Sequence, residues 1–295
     1  MKSIFGQETR RPFLLTRAKL LKPRQEPTLP TRTLMIRREL STEAVASRLR
    51  ATRFEFGRPM GVALHLTRYE RPTRTLIARQ LPRARTLVLL VAGADEQGKL
   101  DDQDLLCRRI AEELTREHFL VAVADYRKFH RGVAPGDWDG LFSSAYDDLN
   151  QGLDFVMTKT AEWQLDPDRV VVVGLSYGGL LQANIAHNRQ VSALALGSGF
   201  IPPEELPGFL SNKTIPVAVV HNTADQSVPA GLTDWSAGGK AIATELKRRG
   251  KTVYESYIST PCSDGNHVPV VGVDLEATIT EYIQKLVGNI VWLVP

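Results

Sequence analysis

From Thr86 onward the chain alternates between two rhythms of apolar residues. Short continuous runs, TLVLLV, FLVAVADYR, RVVVVG, VSALAL, PVAVVH and TVYESYI, predict strands buried on both faces. Between them lie longer stretches whose apolar residues recur every three or four positions, and these predict helices. DQDLLCRRIAEELTREH is expected to turn Leu105, Leu106, Ile110 and Leu114 inward; SSAYDDLNQGLDFVMTK, GGKAIATELKRRG closed by Gly250, and DLEATITEYIQKLVG follow the same period. Ahead of this region, GVALHLTRY and TLIARQL alternate polar and apolar residues as antiparallel strands do, and a short helix is expected from Ser41 to Arg50. Strands alternating with helices imply an α/β fold: a mainly parallel sheet covered on both faces and led by an antiparallel portion. One domain over residues 39–295 is expected, preceded by a basic arm over residues 1–38.

Charge changes the picture only at the N-terminus. Residues 1–38 hold ten Lys/Arg against two Glu, a surplus of 8 in a chain of net charge +4, so the remainder carries −4. The basic character belongs to the arm and not to a domain face with interleaved aromatics, which argues against nucleic-acid binding. No apolar run approaches the roughly 18 residues that span a bilayer. Cys107 and Cys262 are too few and too far apart for a disulfide framework or a zinc site. A cytoplasmic setting fits these features, or an organelle if the Arg-rich, Pro-punctuated arm is a transit segment. The oligomeric state is not fixed by the sequence.

The chemistry concentrates in DPDRVVVVGLSYGGLLQAN, residues 166–184, where a serine stands between two glycines directly after four valines. A strand that reverses into a helix within two or three residues forces its turn residue into a strained conformation with no room for neighbouring Cβ atoms. Gly174 and Gly178 provide that room. Ser176 is thereby lifted above the sheet edge beside the Tyr177 N–H, a geometry suited to attack on a carbonyl.

A serine hydroxyl needs a base, and the base needs an orienting acid. Of six histidines, His118, His187 and His65 are poorly placed along their elements, and His221 ends a strand, where packing and a backbone hydrogen bond are the commoner fate. His130 follows a strand in the loop FHRGVAPGDWDG and is a candidate pocket residue. His267 lies in the loop PCSDGNHVPV after the last strand and is assigned as the base. Asp225 in NTADQSVP is assigned as the acid, with Asp264 and Asp234 as alternatives. The order Ser176, Asp225, His267 is that of the α/β hydrolases.

From about Thr86 to Gly288 the chain resembles the α/β-hydrolase superfamily, especially its esterase and prolyl-oligopeptidase-like members, through DYR, GLSYGG, NTADQSVP and the late histidine. The resemblance implies an eight-stranded sheet, acyl-serine chemistry and no cofactor or metal. Relatives often carry His-Gly after the third strand; here LLVAGADEQG keeps Gly93 and replaces the histidine by Ala92. Backbone donors for an oxyanion are accordingly placed at Ala94 and Tyr177, and Gly93, Asp95, His130 and Trp138 are assigned to the substrate pocket. The expected substrate is a small carboxylic ester. A peptidase or amidase reading stays open through Asp95 and Glu96, and a hydrolase-shaped binding protein without turnover is a further alternative. GADEQGKL fits a phosphate-cradling pattern, but Leu100 stands where a magnesium-holding hydroxyl is required and four nearby carboxylates would repel phosphate. Only residues 197–215 separate VSALAL from PVAVVH, too few for an independent lid domain.

Overall fold

The computed structural model describes residues 49–71, 84–94, 101–259, 267 and 276–294, all within one of the chain's two compact units. The arm over residues 1–38, the segment TLIARQL, Asp95, Glu96, Leu100, Cys262 and Asp264 lie outside the described residues.

Eight strands form one sheet: β1 (Arg50–Gly57), β2 (Leu64–Glu70), β3 (Arg85–Val91), β4 (Leu120–Ala124), β5 (Leu165–Leu175), β6 (Ala193–Gly197), β7 (Val217–Asn222) and β8 (Val253–Ile258). Their spatial order is β1, β2, β4, β3, β5, β6, β7, β8. β2 pairs antiparallel with both β1 and β4, and from β4 to β8 every pairing is parallel. The mainly parallel sheet with an antiparallel lead is the predicted α/β architecture. One expectation is corrected: Arg50, placed at the end of a helix by the sequence pattern, opens β1. The strand's central residues alternate between exposed and half-buried, because Phe54 and Phe56 on one face pack on Phe155 and Trp163 while Arg53 and Glu55 on the other face solvent.

Helices α1 (Asp101–Arg116), α2 (Trp138–Thr158), α3 (Thr160–Trp163), α4 (Tyr177–Asn188), α5 (Gly239–Arg248) and α6 (Glu276–Leu293) complete the fold. α1 and α6 cover one face of the sheet, where Leu106, Ile110, Leu114, Tyr282, Ile283 and Leu286 pack against Val88, Leu90, Val171 and Val173. Leu105, expected to face inward, is 44% exposed, since the buried stripe passes through Leu106 and leaves its neighbour on the helix flank. Val170, Val171, Val172 and Val173 are at most 2% exposed, and each such side chain contributes about 1.5–3 kcal/mol of burial.

The chain passes from β3 outward to β4 and then returns to place β5 on the other side of β3. This reversal falls at the carboxyl ends of β3 and β5, the place where open α/β sheets bind ligands. The segment between β6 and β7 holds a two-residue strand, Phe200–Ile201, and a single 3-10 turn, Pro203–Glu205, and no lid helix.

Candidate active site

Ser176 follows β5 at the reversal point with φ 53° and ψ −124°, a conformation that side chains with a Cβ rarely adopt. The glycines around it explain how the chain reaches this geometry. A Cβ on Gly174 would stand 2.1 Å from the Gly178 carbonyl oxygen, and one on Gly178 would stand 2.4 Å from the Ala92 oxygen and 2.6 Å from that of Val91. The first turn of α4 therefore presses onto both the end of β5 and the loop leaving β3. The Ser176 N–H donates to the Gly197 carbonyl at 2.8 Å, and the Gly179 N–H to that of Ser176 at 2.8 Å, which fix the turn from both sides. α4 itself is buried from Tyr177 through Ala186, and Gln182 donates to the Leu89 carbonyl of β3 at 3.1 Å.

His267 and Asp225 converge on this serine. His267 Nε2 lies 2.8 Å from Ser176 Oγ, and His267 Nδ1 lies 2.7 Å from Asp225 Oδ2. With Nδ1–H donating to the carboxylate, Nε2 keeps its lone pair toward the hydroxyl and can accept the serine proton. All three residues are buried, at 7%, 9% and 5% exposure for Ser176, His267 and Asp225. Burial works against charge on Asp225, but the nearby His221 ring, the hydrogen bond and proximity of His267 and the Val228 N–H outweigh it, so the carboxyl stays below its usual range. The other oxygen, Oδ1, accepts the N–H groups of Ser227 and Val228 at 3.0 and 2.8 Å.

The rival residues are elsewhere. Asp234 is exposed; His118 is exposed at the end of α1; His65 on β2 meets Arg53; and His187 accepts the Leu210 N–H. His130 is exposed in a tight turn with φ 59°, its N–H bonded to the Val133 carbonyl, and is not brought to the group around Ser176. Trp138, read as part of a loop, is the first residue of α2; its ring packs between Phe129 at 4.8 Å and Tyr177 at 5.6 Å, beside the serine turn. Gly93 is buried and Ala94 half-buried on the loop that leaves β3. That loop is held by the Tyr126 hydroxyl, which donates to the Ala92 carbonyl at 3.1 Å. The Tyr177 N–H heads α4, among the helix donors that have no partner within the helix. Its phenol is pushed up by burial and by Asp139 and stays protonated.

Two structural devices escaped the sequence reading. Arg127 of DYR forms a buried fork with Asp148 of α2, its Nη2 and Nε both within 3.1 Å of Oδ1, while its backbone N–H donates to Oδ2 at 2.8 Å. This pair ties the segment after β4 to α2. His221 supports the Asp225 turn from within the core. Among the described residues there is no group of three His, Cys, Asp or Glu able to hold a metal ion, and no helix long and apolar enough to cross a membrane.

Residues 78–198 match the family described as BD-FAE, an esterase family of the α/β-hydrolase type. No curated protein matches the chain in sequence. Among solved structures, MGS-M1, an alpha/beta hydrolase enzyme from a Medee basin deep-sea metagenome library, aligns with a TM-score of 0.57 at 16% identity over 82% of this chain and 99% of its own. Esterase 2 of Thermogutta terrifontis, phosphonylated by cyclosarin, aligns with a TM-score of 0.59 at 17% identity over 84% and 100%. Its propionate-bound form aligns at 0.55 and 17% over 83% and 96%. Sheet order, the turn after β5 and these likenesses together show that the chain has the α/β-hydrolase fold.

Proposed function

We propose that the protein is a serine hydrolase that cleaves carboxylic esters of small molecules through an acyl-serine intermediate. The reading is carried by the chain of hydrogen bonds from Ser176 Oγ through His267 to Asp225, 2.8 and 2.7 Å long, mounted on a strained turn at the carboxyl end of β5. The BD-FAE match and the esterase neighbours support the choice of ester over other acyl compounds.

In this mechanism Ser176 Oγ attacks the ester carbonyl while His267 Nε2 takes its proton. Asp225 orients the ring and stabilises the imidazolium. The N–H groups of Tyr177 and Ala94 hold the developing oxyanion, and His267 returns the proton to the leaving alkoxide. Water, deprotonated by His267, then releases the acid and frees Ser176. Trp138 and Tyr177 supply an apolar wall for the acyl group. A short acyl chain is the proposed substrate group, supported by the neighbouring esterase solved with propionate and with butyrate bound.

A fluorophosphonate probe is expected to label Ser176 and abolish hydrolysis of nitrophenyl acetate and butyrate. Ser176→Ala is expected to remove labelling and lower turnover by about 10⁶-fold. Labelling at another residue, or turnover of the Ala variant within tenfold of the parent, rejects the proposal. Aminoacyl anilides assayed alongside distinguish an esterase from a peptidase.

A further inference from the structure

His221 is completely buried at the carboxyl end of β7, outside the hydrogen-bonded line of Ser176, His267 and Asp225. Both of its ring nitrogens are engaged. The N–H of Gly239, the first residue of α5, donates to Nδ1 at 3.1 Å. Nδ1 therefore carries the lone pair, and the neutral ring holds its proton on Nε2. That N–H points to the Val228 carbonyl at 2.8 Å, with Asp225 Oδ2 at 3.5 Å on its flank. Val228 in turn gives its own N–H to Asp225 Oδ1 at 2.8 Å. The imidazole thus closes a ring of contacts, His221 to Val228 to Asp225, and the same Nε2 that meets Val228 lies beside the oxygen that receives His267.

An apolar side chain of similar size would fill the space but leave the Gly239 N–H and the Val228 carbonyl buried without this partner. The close approach is also built in from the far side: a Cβ on Gly239 would stand 2.8 Å from His221 Nδ1 and 2.5 Å from Val219 Cγ1. A single ring therefore joins three segments: the end of β7, the turn that carries Asp225, and the start of α5.

We propose that His221 is a positioning residue for the hydrolytic reaction: by holding Val228 and the edge of Oδ2, it sets the rotation of the Asp225 carboxylate and so the plane of the His267 ring. This rests on the reading of Ser176, His267 and Asp225 given above. An orienting contact acts on the chemical step and not on ground-state binding, so its loss lowers kcat and leaves KM.

The test compares the parent with His221→Asn and His221→Gln, each titrated with a fluorophosphonate and assayed on nitrophenyl butyrate. Asn keeps an acceptor near Nδ1 but loses the N–H toward Val228, whereas the Gln amide reaches the Nε2 position. kcat per titrated site is expected to fall about 10- to 100-fold in the Asn variant, the scale of a misplaced catalytic group, with KM within threefold. Gln is expected to restore most of the loss. Gly239→Ala, which displaces the ring without altering it, is expected to lower kcat in the same manner and keeps the test decisive if the Asn variant does not fold. Variants that melt earlier but match the parent in kcat per site would overturn the assignment and leave His221 a packing residue. A parent that neither labels nor hydrolyses overturns the reading of Ser176 instead.

Discussion

Adding one methyl group at Gly178 tests whether the close approach of α4 to β3 builds the reactive turn. In Gly178→Ala the new Cβ would stand 2.4 Å from the Ala92 oxygen and 2.6 Å from the Val91 oxygen, where ordinary contact begins at 3.4 Å. Both obstacles are backbone, so no side chain can swing aside, and the loop after β3 must retreat from the head of α4 by about 1 Å. Overpacking of this kind costs about 1–3 kcal/mol of stability. The same displacement separates the Ala94 loop from the Tyr177 N–H, the two sources proposed for the oxyanion donors. A misplacement near 1 Å lowers rate about 10²-fold, close to 2.7 kcal/mol of barrier at 1.36 kcal/mol per tenfold. Gly288→Ala is the matched control, because a Cβ there meets nothing within 4 Å and the residue lies inside α6. It is expected to stabilise by about 0.5–1 kcal/mol through helix propensity and to leave turnover unchanged. The assay is kcat on nitrophenyl butyrate per titrated site, together with chemical denaturation of both variants. If Gly178→Ala keeps kcat within threefold of the parent, or if the two variants behave alike, close approach is not what that glycine is for.

Three further outcomes follow from geometry already described. Ser176→Gly relieves the strain of φ 53° and is expected to raise stability by about 1 kcal/mol while abolishing turnover, measured by urea unfolding and ester assay. Asp148→Ala leaves the Arg127 guanidinium buried without its partner and is expected to cost about 3–5 kcal/mol; an Arg127→Met, Asp148→Leu double variant is expected to recover much of this in thermal melts. The Asp225 carboxyl titrates below its unfolded value near 3.9, so its contribution to stability is complete above that pH and is lost as pH falls through the lower folded value. Urea unfolding from pH 6 to pH 2 is expected to show a shallower acid decline in Asp225→Asn than in the parent, and equal slopes would contradict it.

Much of this molecule is legible in its sequence where the chemistry is local. Four consecutive valines and the glycine pair around Ser176 describe a buried strand entering a tight turn, because the constraint lies within five residues. His267 and Asp225 are picked out by their places after successive strands, which follow from the parallel topology, and the structure brings both to Ser176. β1 is hard to read because only the face carrying Phe54 and Phe56 is covered, so Arg53 and Glu55 interrupt its apolar run. Leu105 misled because adjacent leucines on a helix are 100° apart and only one can lead the stripe. The fork between Arg127 and Asp148 and the ring around His221 depend on partners 21 and 18 residues away, and no local pattern announces them.

The pairing of Phe200–Ile201 with Ala237–Gly238 gives the molecule a clasp. The chain leaves the sheet after β6, is pinned there, and returns to the same pin just before α5; β7 and the Asp225 turn lie on the loop so closed. Between the clasp and β7, residues 202–216 form an outer bight whose two ends are already fixed. New sequence added within this bight would meet two anchored ends and would pass no slack to the turn that carries Asp225. The fold thereby separates a place where sequence can be added, against the far ends of α4 and α5, from the turn that carries Asp225.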